Sequence, residues 1–397
     1  MPTRKAAIDA LHVSSEQVSA FRLSRHHLID RAPASSLVKV TGDMGGAQAQ
    51  LLSAAQISLW ARTRDLRVAD VEDALWRDRT LVKSWCIRGT LHLIPSRDFA
   101  VFLRGSSRRD RRWIAWMVRA KIPTDAVDRL IGAMRKALDR PRTRSEIADR
   151  ISGSLGVKIV EKSGRGWGNP ANAKGFRVGR SVISLDAVIF LACGRGLSCF
   201  GPLREGEATF VRPERWLAEW HDLPTEKAEL ELLRRYLKAH GPATFRDFLI
   251  WIGLAAADAR DVWARLEPEL AAVNVDGQIG WVLREDTSAL TRATVDVSVI
   301  RLLPSFDSFL LGQKDHGHLV DRAHHKRVYR PQGWLSPVVL VDGRVAGVWS
   351  HERTSRRLQV RVKPFGPPSA AFRIAVRDEA EDLRRFLDSP EVTIRFS

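Results

Sequence analysis

A chain of 397 residues exceeds the length at which a single hydrophobic core keeps growing, so roughly two to four compact units are expected. Apolar residues at 44% and charged residues at 28% exclude a disordered polar tail and leave an ordinary folding chain. Lys and Arg number 64 against 46 Asp and Glu, a formal charge of +18, and such an excess draws polyanions, nucleic acid first.

The arginine preference of a GC-rich genome would also raise this charge, but acidic residues should then rise in parallel. A membrane surface is the less expected partner, because neither a basic amphipathic helix nor a lipid signal is evident. The longest wholly apolar run, Ala187 to Cys193, is too short to span a bilayer. The opening Met-Pro-Thr-Arg-Lys-Ala-Ala-Ile-Asp lacks an apolar signal core, and a cytoplasmic location is expected. Cys86, Cys193 and Cys199 have no spacing that suggests zinc or a disulfide framework, so buried thiols are expected.

Ser14 and Ser15 before Glu16-Gln17-Val18 form a capping signal, and Phe21, Leu23 and Leu28 follow at helical spacing, so the chain opens with a helix. Gly42 to Gly46 breaks it. A second helix is expected from about Ala47 through Ala61, a third from Asp70 through Trp76, and a fourth from Leu81-Val82. Ser84 to Pro95 then turns strand-like and stops at proline. Helices followed by a β wing outline a winged helix.

The outline recurs twice. Thr143 and Glu146 sit at capping-box spacing after a Pro-containing turn, and Pro242-Ala243-Thr244-Phe245-Arg246-Asp247 repeats the arrangement about a hundred residues on. A helix over Ala228 to Lys238 precedes this second copy; Ala256 to Leu266 and a strand pair from Ala271 to Leu283, turning at Asp276-Gly277, follow it. Between the copies, Lys162 to Arg180 is glycine-rich and basic and reads as a long mobile loop that either tracks phosphates or is a solvated insertion. Towards the C-terminus Pro337 to Trp349 is a hairpin turning at Asp342-Gly343, Leu358 to Pro364 another strand, and roughly Asp378 to Leu387 a final helix. The fold class is α+β, mainly helical. Tandem winged-helix domains are expected over 1–130, 131–222 and 223–290, with a β-rich C-terminal region over 291–397.

Several clusters carry chemistry. His316, His318, His324 and His325 raise a metal site, but no carboxylate or cysteine set accompanies them, and with Lys314, Arg322, Lys326 and Arg327 they read as contacts to a nucleic-acid backbone. No metal or cofactor is expected. Trp113 and Trp116, beside Arg108, Arg109, Arg111 and Arg112, either stack on bases or, at a spacing of three, line a core. Gly45-Gly46-Ala47-Gln48-Ala49-Gln50 lacks the Lys-Ser/Thr of a nucleotide-binding loop; placed at a helix start, both glutamine amides would face one groove.

Gln48-Ala49-Gln50, then Ser53-Ala54-Ala55, Leu59-Trp60-Ala61-Arg62, Asp78 to Val82, Arg88 to Leu93, Leu302 to Asp315 and the Pro337 to Trp349 hairpin together resemble the AlkZ-like winged-helix DNA glycosylases, in the branch with Gln-x-Gln. That resemblance implies a monofunctional glycosylase whose tandem modules form a concave basic clamp on double-stranded DNA containing alkylated purines, N7-alkylguanine or bulkier adducts and crosslinks among them. It also implies that Gln48 and Gln50 hold the attacking water and that the hairpin at Asp342-Gly343-Arg344 probes DNA at the lesion. Asp307 either orients part of the site or caps a turn, and His92 stands in the same position. Arg62, Arg88, Lys314, Arg327 and Arg344 are the expected DNA contacts. A monomer is expected. The competing readings are a non-catalytic winged-helix regulator or resistance factor, and a metal nuclease, the latter set back by the missing acidic ligand cluster.

Overall fold

The computed structural model describes residues 10–119, 122–162 and 173–397. Ser14 accepts a hydrogen bond from the Gln17 amide while the Gln17 side chain accepts from the Ser14 N–H, and this box opens the helix Ser15–Arg25. A shorter helix, Leu37–Asp43, follows. Gly45 and Gly46 then take φ of +75° and +85°, a left-handed pair that turns the chain out of helical geometry. For that reason Ala47–Gln48 is a strand and the next helix begins only at Leu52, ending at Trp60. The expected helix start at Ala47 is thereby corrected. The expected fourth helix is likewise a strand, Leu81–Trp85, which pairs antiparallel with Leu91–Pro95, and the latter pairs with Ala47–Gln48.

Two further stretches share the order helix, short strand or bridge, two helices, hairpin, the first with a small three-stranded sheet inserted between its two helices. In the first, Thr124–Ala137 leads to Arg142–Thr143, to Arg144–Leu155 with the Thr143/Glu146 box in place, to Leu185–Gly194, and to the hairpin Cys199–Arg204/Glu207–Val211. The short strand joins the hairpin edge, Thr209 opposite Thr143. In the second, Thr225–His240 leads to the bridge Ala243 opposite Trp281, to Phe245–Ile252 with the Thr244/Asp247 box, to Ala256–Leu266, and to Leu270–Val275/Gln278–Leu283. The expected loop from Lys162 to Arg180 is corrected in part, because Ala173–Val178 pairs with both Ile159–Lys162 and Ser181–Ser184; residues 163–172 lie outside the described residues, as do the side chains of Trp113 and Trp116. Arg108 is committed to Glu229, 2.5 Å away.

The C-terminal region is a five-stranded sheet ordered Ile300–Leu303, Val338–Val341, Arg344–Arg353, Leu358–Pro364, Val392–Phe396, with only the last pair parallel. Its helix, Ala370–Phe386, starts eight residues before the expected Asp378 because Ser369 caps it by accepting from the Phe372 N–H. Asp342 and Gly343 take φ of +49° and +85°, as an Asp-Gly hairpin turn requires. The turn also makes contacts within the protein. Ser19 Oγ donates to the Asp342 carbonyl at 3.1 Å, the Asp342 carboxylate accepts from the Val299 N–H at 2.7 Å, and a methyl group on buried Gly343 would overlap Ser19. The hairpin tip is thus joined to the first helix, while Asp342 and Arg344 remain exposed.

Buried side chains run without interruption from the first helices through Phe210 and on to the C-terminal sheet, so these regions share one core. Residue 130 as a boundary falls inside the helix Thr124–Ala137, and 290 falls within Thr287–Thr291; the first break belongs before Thr124. Across this shared core Arg62 and Asp307, both with fully buried side chains, make a bidentate ion pair at 2.7 and 2.8 Å. Ser58 donates to the same carboxylate at 2.6 Å. Removing one member of such a pair strands a buried charge, whereas an apolar pair of similar volume does not. Asp307→Ala should therefore cost about 3–5 kcal/mol in urea unfolding, and Arg62→Met with Asp307→Leu should cost less than Asp307→Ala alone; equal losses would show that the charge is not what matters.

Candidate active site

Gln48 lies at the edge of the small sheet, its residue 9% exposed. Its Oε1 accepts from Arg88 Nη2 at 3.0 Å, while Arg88 Nη1 donates to the Trp251 carbonyl at 2.9 Å. Arg88 sits in the loop between the strands Leu81–Trp85 and Leu91–Pro95 with φ +56°, a region costly for a side-chain-bearing residue. Two features hold it there. The Gly89 and Thr90 amides donate to the carbonyls of Cys86 and Ile87 at 2.9 and 3.1 Å, and Gly253, itself at φ +73°, lets the backbone approach so closely that a Cβ would lie 3.0 Å from Arg88 Cα. Burial pulls the guanidinium down to a pKa of about 10, which still leaves it charged at neutral pH.

Gln50 is half-buried, and its Oε1 accepts from the Leu91 N–H at 3.3 Å. A guanidinium and a peptide N–H can only donate, so both carboxamides are oriented with their oxygens turned back into the protein. Each then offers its NH2 group and the second lone pair of its oxygen. Leu51, directly after Gln50, is 41% exposed, so Gln50 stands near the surface while Gln48 is buried.

The turn that presents Gln48 rests on buried polar groups. Ser308 Oγ donates to the Gly46 carbonyl at 3.2 Å, Gln313 Nε2 to the His240 carbonyl at 2.7 Å, and the Tyr236 hydroxyl to the Gly312 carbonyl at 2.8 Å. Burial pulls His240 down to about 3 and lowers His26 as well, so both stay neutral beneath the site. His92 is the cross-strand neighbour of Gln48, buried, with Nδ1 3.1 Å from the Thr90 carbonyl.

Of the expected site residues, the structure brings Gln48, Gln50, His92 and Arg88 together. Asp307 and Arg62 pair with each other; Asp307 also caps the turn Ser308–Leu310 by accepting from the Phe309 N–H at 3.0 Å, and the next residue, Ser308, bonds the Gly46 carbonyl ahead of Gln48. Arg62 is fully buried and cannot reach a phosphate, so it is corrected from a DNA contact to an internal one; Arg88 is half-buried and bonded to Gln48 and the Trp251 carbonyl. Lys314, Arg327 and Arg344 are exposed: the Lys314 N–H donates to Asp247 at 2.7 Å, Arg327 lies 4.5 Å over the Phe365 ring, and Arg344 pairs with Asp321 at 2.5 Å. His316 and His325 approach to 3.2 Å and stack on Tyr329. Among the described residues no three His, Cys, Asp or Glu side chains group closely enough to hold a metal. The Trp251 carbonyl and the Leu91 N–H went unnoticed in the sequence, since backbone groups leave no residue-type signal; the Arg-Gly dipeptide between two strands was the available hint of special backbone.

A cleft of about 1390 Å³ opens elsewhere, between the first helix and residues 289–301. Its cations are largely paired internally, Arg25 with Asp286, Arg235 with Asp98 and Lys238 with Glu285, and neither glutamine lines it.

The sequence profile of the family described as DNA glycosylase AlkZ-like matches residues 41–386. A relative from Streptomyces sahachiroi, named an interstrand DNA cross-link repair glycosylase, is 31% identical over 351 residues, 85% of this chain and 88% of its own. The solved structure of Streptomyces sahachiroi DNA glycosylase AlkZ is similar over 98% of this chain and 100% of its own, with a TM-score of 0.80 and 29% identity. A profile that spans most of the chain, a relative aligned over nearly its whole length and a solved fold that matches end to end agree on one assignment: this chain belongs to the AlkZ-like DNA glycosylases and is an enzyme acting on the N-glycosyl bonds of DNA.

Proposed function

We propose that the enzyme excises purines already carrying positive charge, of the N7-alkylguanine type, with Gln48 and Gln50 holding the attacking water. The observation that carries this reading is that two neutral amides stand where a base is ordinarily found, each anchored by a donor-only partner. A neutral amide removes no proton worth the name at pH 7, so an uncharged nucleobase would be a poor substrate. N7 alkylation changes the balance. The C1′–N9 bond breaks with its electron pair moving to the purine, which becomes neutral; the water oxygen bonds to C1′ and its proton passes to solvent. What the protein supplies is position and a set of dipoles aimed at the sugar.

The repeated order of helix, short strand, two helices and hairpin supports reading these units as winged helices, which grip duplex DNA through several modules. The net charge of +18 supports the same partner, and Lys314, Arg327 and Arg344 are the exposed cations we assign to phosphates. The shallow placement of Gln50 beside exposed Leu51 fits a lesion attacked without full extrusion, which bulky adducts and crosslinks would demand, since a tethered base resists flipping. The name of the Streptomyces relative as a cross-link repair enzyme agrees with that substrate class. We take the acting form to be a monomer.

On a duplex with one 7-methylguanine, wild type should leave abasic sites that break in warm alkali, and Gln48→Ala and Gln50→Ala should slow single-turnover excision by about 100-fold or more. Variants as fast as wild type would remove the glutamines from the site, and wild type that binds but never cleaves would remove this substrate class. Separately, Lys314→Ala, Arg327→Ala and Arg344→Ala should each flatten the slope of log K against log salt by about 0.9 per lost phosphate contact, with excision from the saturated complex unchanged.

A further inference from the structure

Arg88 is a half-buried cation that donates to Gln48, and nothing in the reaction described above uses it. We propose that Arg88 is a positioning residue that fixes and polarises Gln48, so that the two glutamines act as unlike partners, Gln48 as hydrogen-bond donor and Gln50 as acceptor. The proposal rests on the reading of Gln48 and Gln50 as the water-holding pair.

The geometry points one way. Arg88 spans 2.9 Å to the Trp251 carbonyl and 3.0 Å to Gln48 Oε1, so its fork is held at both prongs, and the Gln48 amide cannot flip without facing donor to donor. A cation on an amide oxygen draws electron density towards that oxygen, which weakens its second lone pair as an acceptor and strengthens the NH2 group as a donor. Gln50 differs. Its oxygen accepts only a long 3.3 Å bond from a neutral peptide N–H, and it retains ordinary acceptor strength. A water between them would receive an N–H from Gln48 and donate an O–H to Gln50, leaving its remaining lone pair for C1′. The backbone is bent to this end: Arg88 holds φ +56° and is matched by Gly253 at φ +73°, where a Cβ would press on Arg88 Cα. A residue needed only to fill space would not require a side-chain-bearing left-handed conformation. Two of its five N–H donors are committed to internal acceptors, the Trp251 carbonyl and Gln48 Oε1.

The test is single-turnover excision of 7-methylguanine from a duplex, with DNA affinity and melting temperature measured on each variant. Arg88→Met should slow excision at least about 20-fold while DNA affinity stays within about twofold, and Arg88→Lys, which returns one charged donor to Gln48, should recover at least about fivefold of that loss. In the Gln48→Ala enzyme, Arg88→Met should add no further loss, because the guanidinium then has no amide to act on. If Arg88→Met melts early, Arg88→Lys carries the same cycle. Weakened DNA binding with an unchanged rate in the saturated complex would make Arg88 a phosphate contact, and an equal loss in both backgrounds would make it independent of Gln48; either result overturns the proposal. Gln48→Ala as fast as wild type would instead overturn the site assignment beneath it, and Gln50→Glu slower than Gln48→Glu would reverse the donor and acceptor roles.

Discussion

The bidentate pair of Arg62 with Asp307 is the constraint from which the site hangs. Arg62 follows the helix Leu52–Trp60, which itself follows Gln50, and Asp307 opens the turn whose next residue, Ser308, bonds the Gly46 carbonyl at 3.2 Å. The glutamine segment is thus clamped from both of its ends by one buried interaction that spans 245 positions of sequence. Such pairs add little net stability against a well-packed apolar alternative, but they leave no slack in register or direction. For the reaction proposed above, which depends on two amides being held, freedom from slack matters more than the last few kcal/mol.

The same need explains the second arginine. Arg88 brings a charge into a poorly solvated place, and the cost is met from an unusual source. Its partner carbonyl, Trp251, lies in the last turn of Phe245–Ile252, where unpaired carbonyls and the negative end of the helix dipole converge. The third helix-and-hairpin unit therefore supplies the counter-charge for a site that lies in the first. Trp251 packs in a second hydrophobic cluster that joins the third unit to residues 82–103 of the first.

Much of the frame was legible in the sequence because it rests on local rules. The Thr143/Glu146 and Thr244/Asp247 boxes, the helix Ala256–Leu266 and the strand Leu358–Pro364 were readable from caps and periodicity. The Gln-x-Gln element is not legible in this way, since Gly45-Gly46 suggests the lead into a helix while its two left-handed glycines feed a strand. Leu81-Val82 failed for a related reason: a short apolar start is ambiguous until its partner strand is known. The arginines failed more instructively. Arg62, Arg88 and Arg344 are alike in sequence, and a strongly basic chain invites one role for all of them, yet the first is sealed against Asp307, the second props an amide and the third is on the surface. Long-range partners, not residue type or local pattern, separate these fates.

The Asp342-Gly343 hairpin carries that lesson to its end. Its turn chemistry is local and came out as the dipeptide dictates, with both residues at positive φ. Its role is not local. A hairpin tip is by default a surface feature, and a tip followed by arginine in a basic protein suggests a finger on DNA. Here the backbone of the turn is spoken for on both sides, by Ser19 on the first helix and by Val299 from the linker ahead of the sheet. Gly343 is required twice over, once for the turn and once because any side chain would strike Ser19. The tip therefore fixes the C-terminal sheet against the first helix, and that sheet carries the Asp307 turn towards Arg62. The tip that the resemblance offers as a probe of the lesion is also a strut between the C-terminal sheet and the first helix.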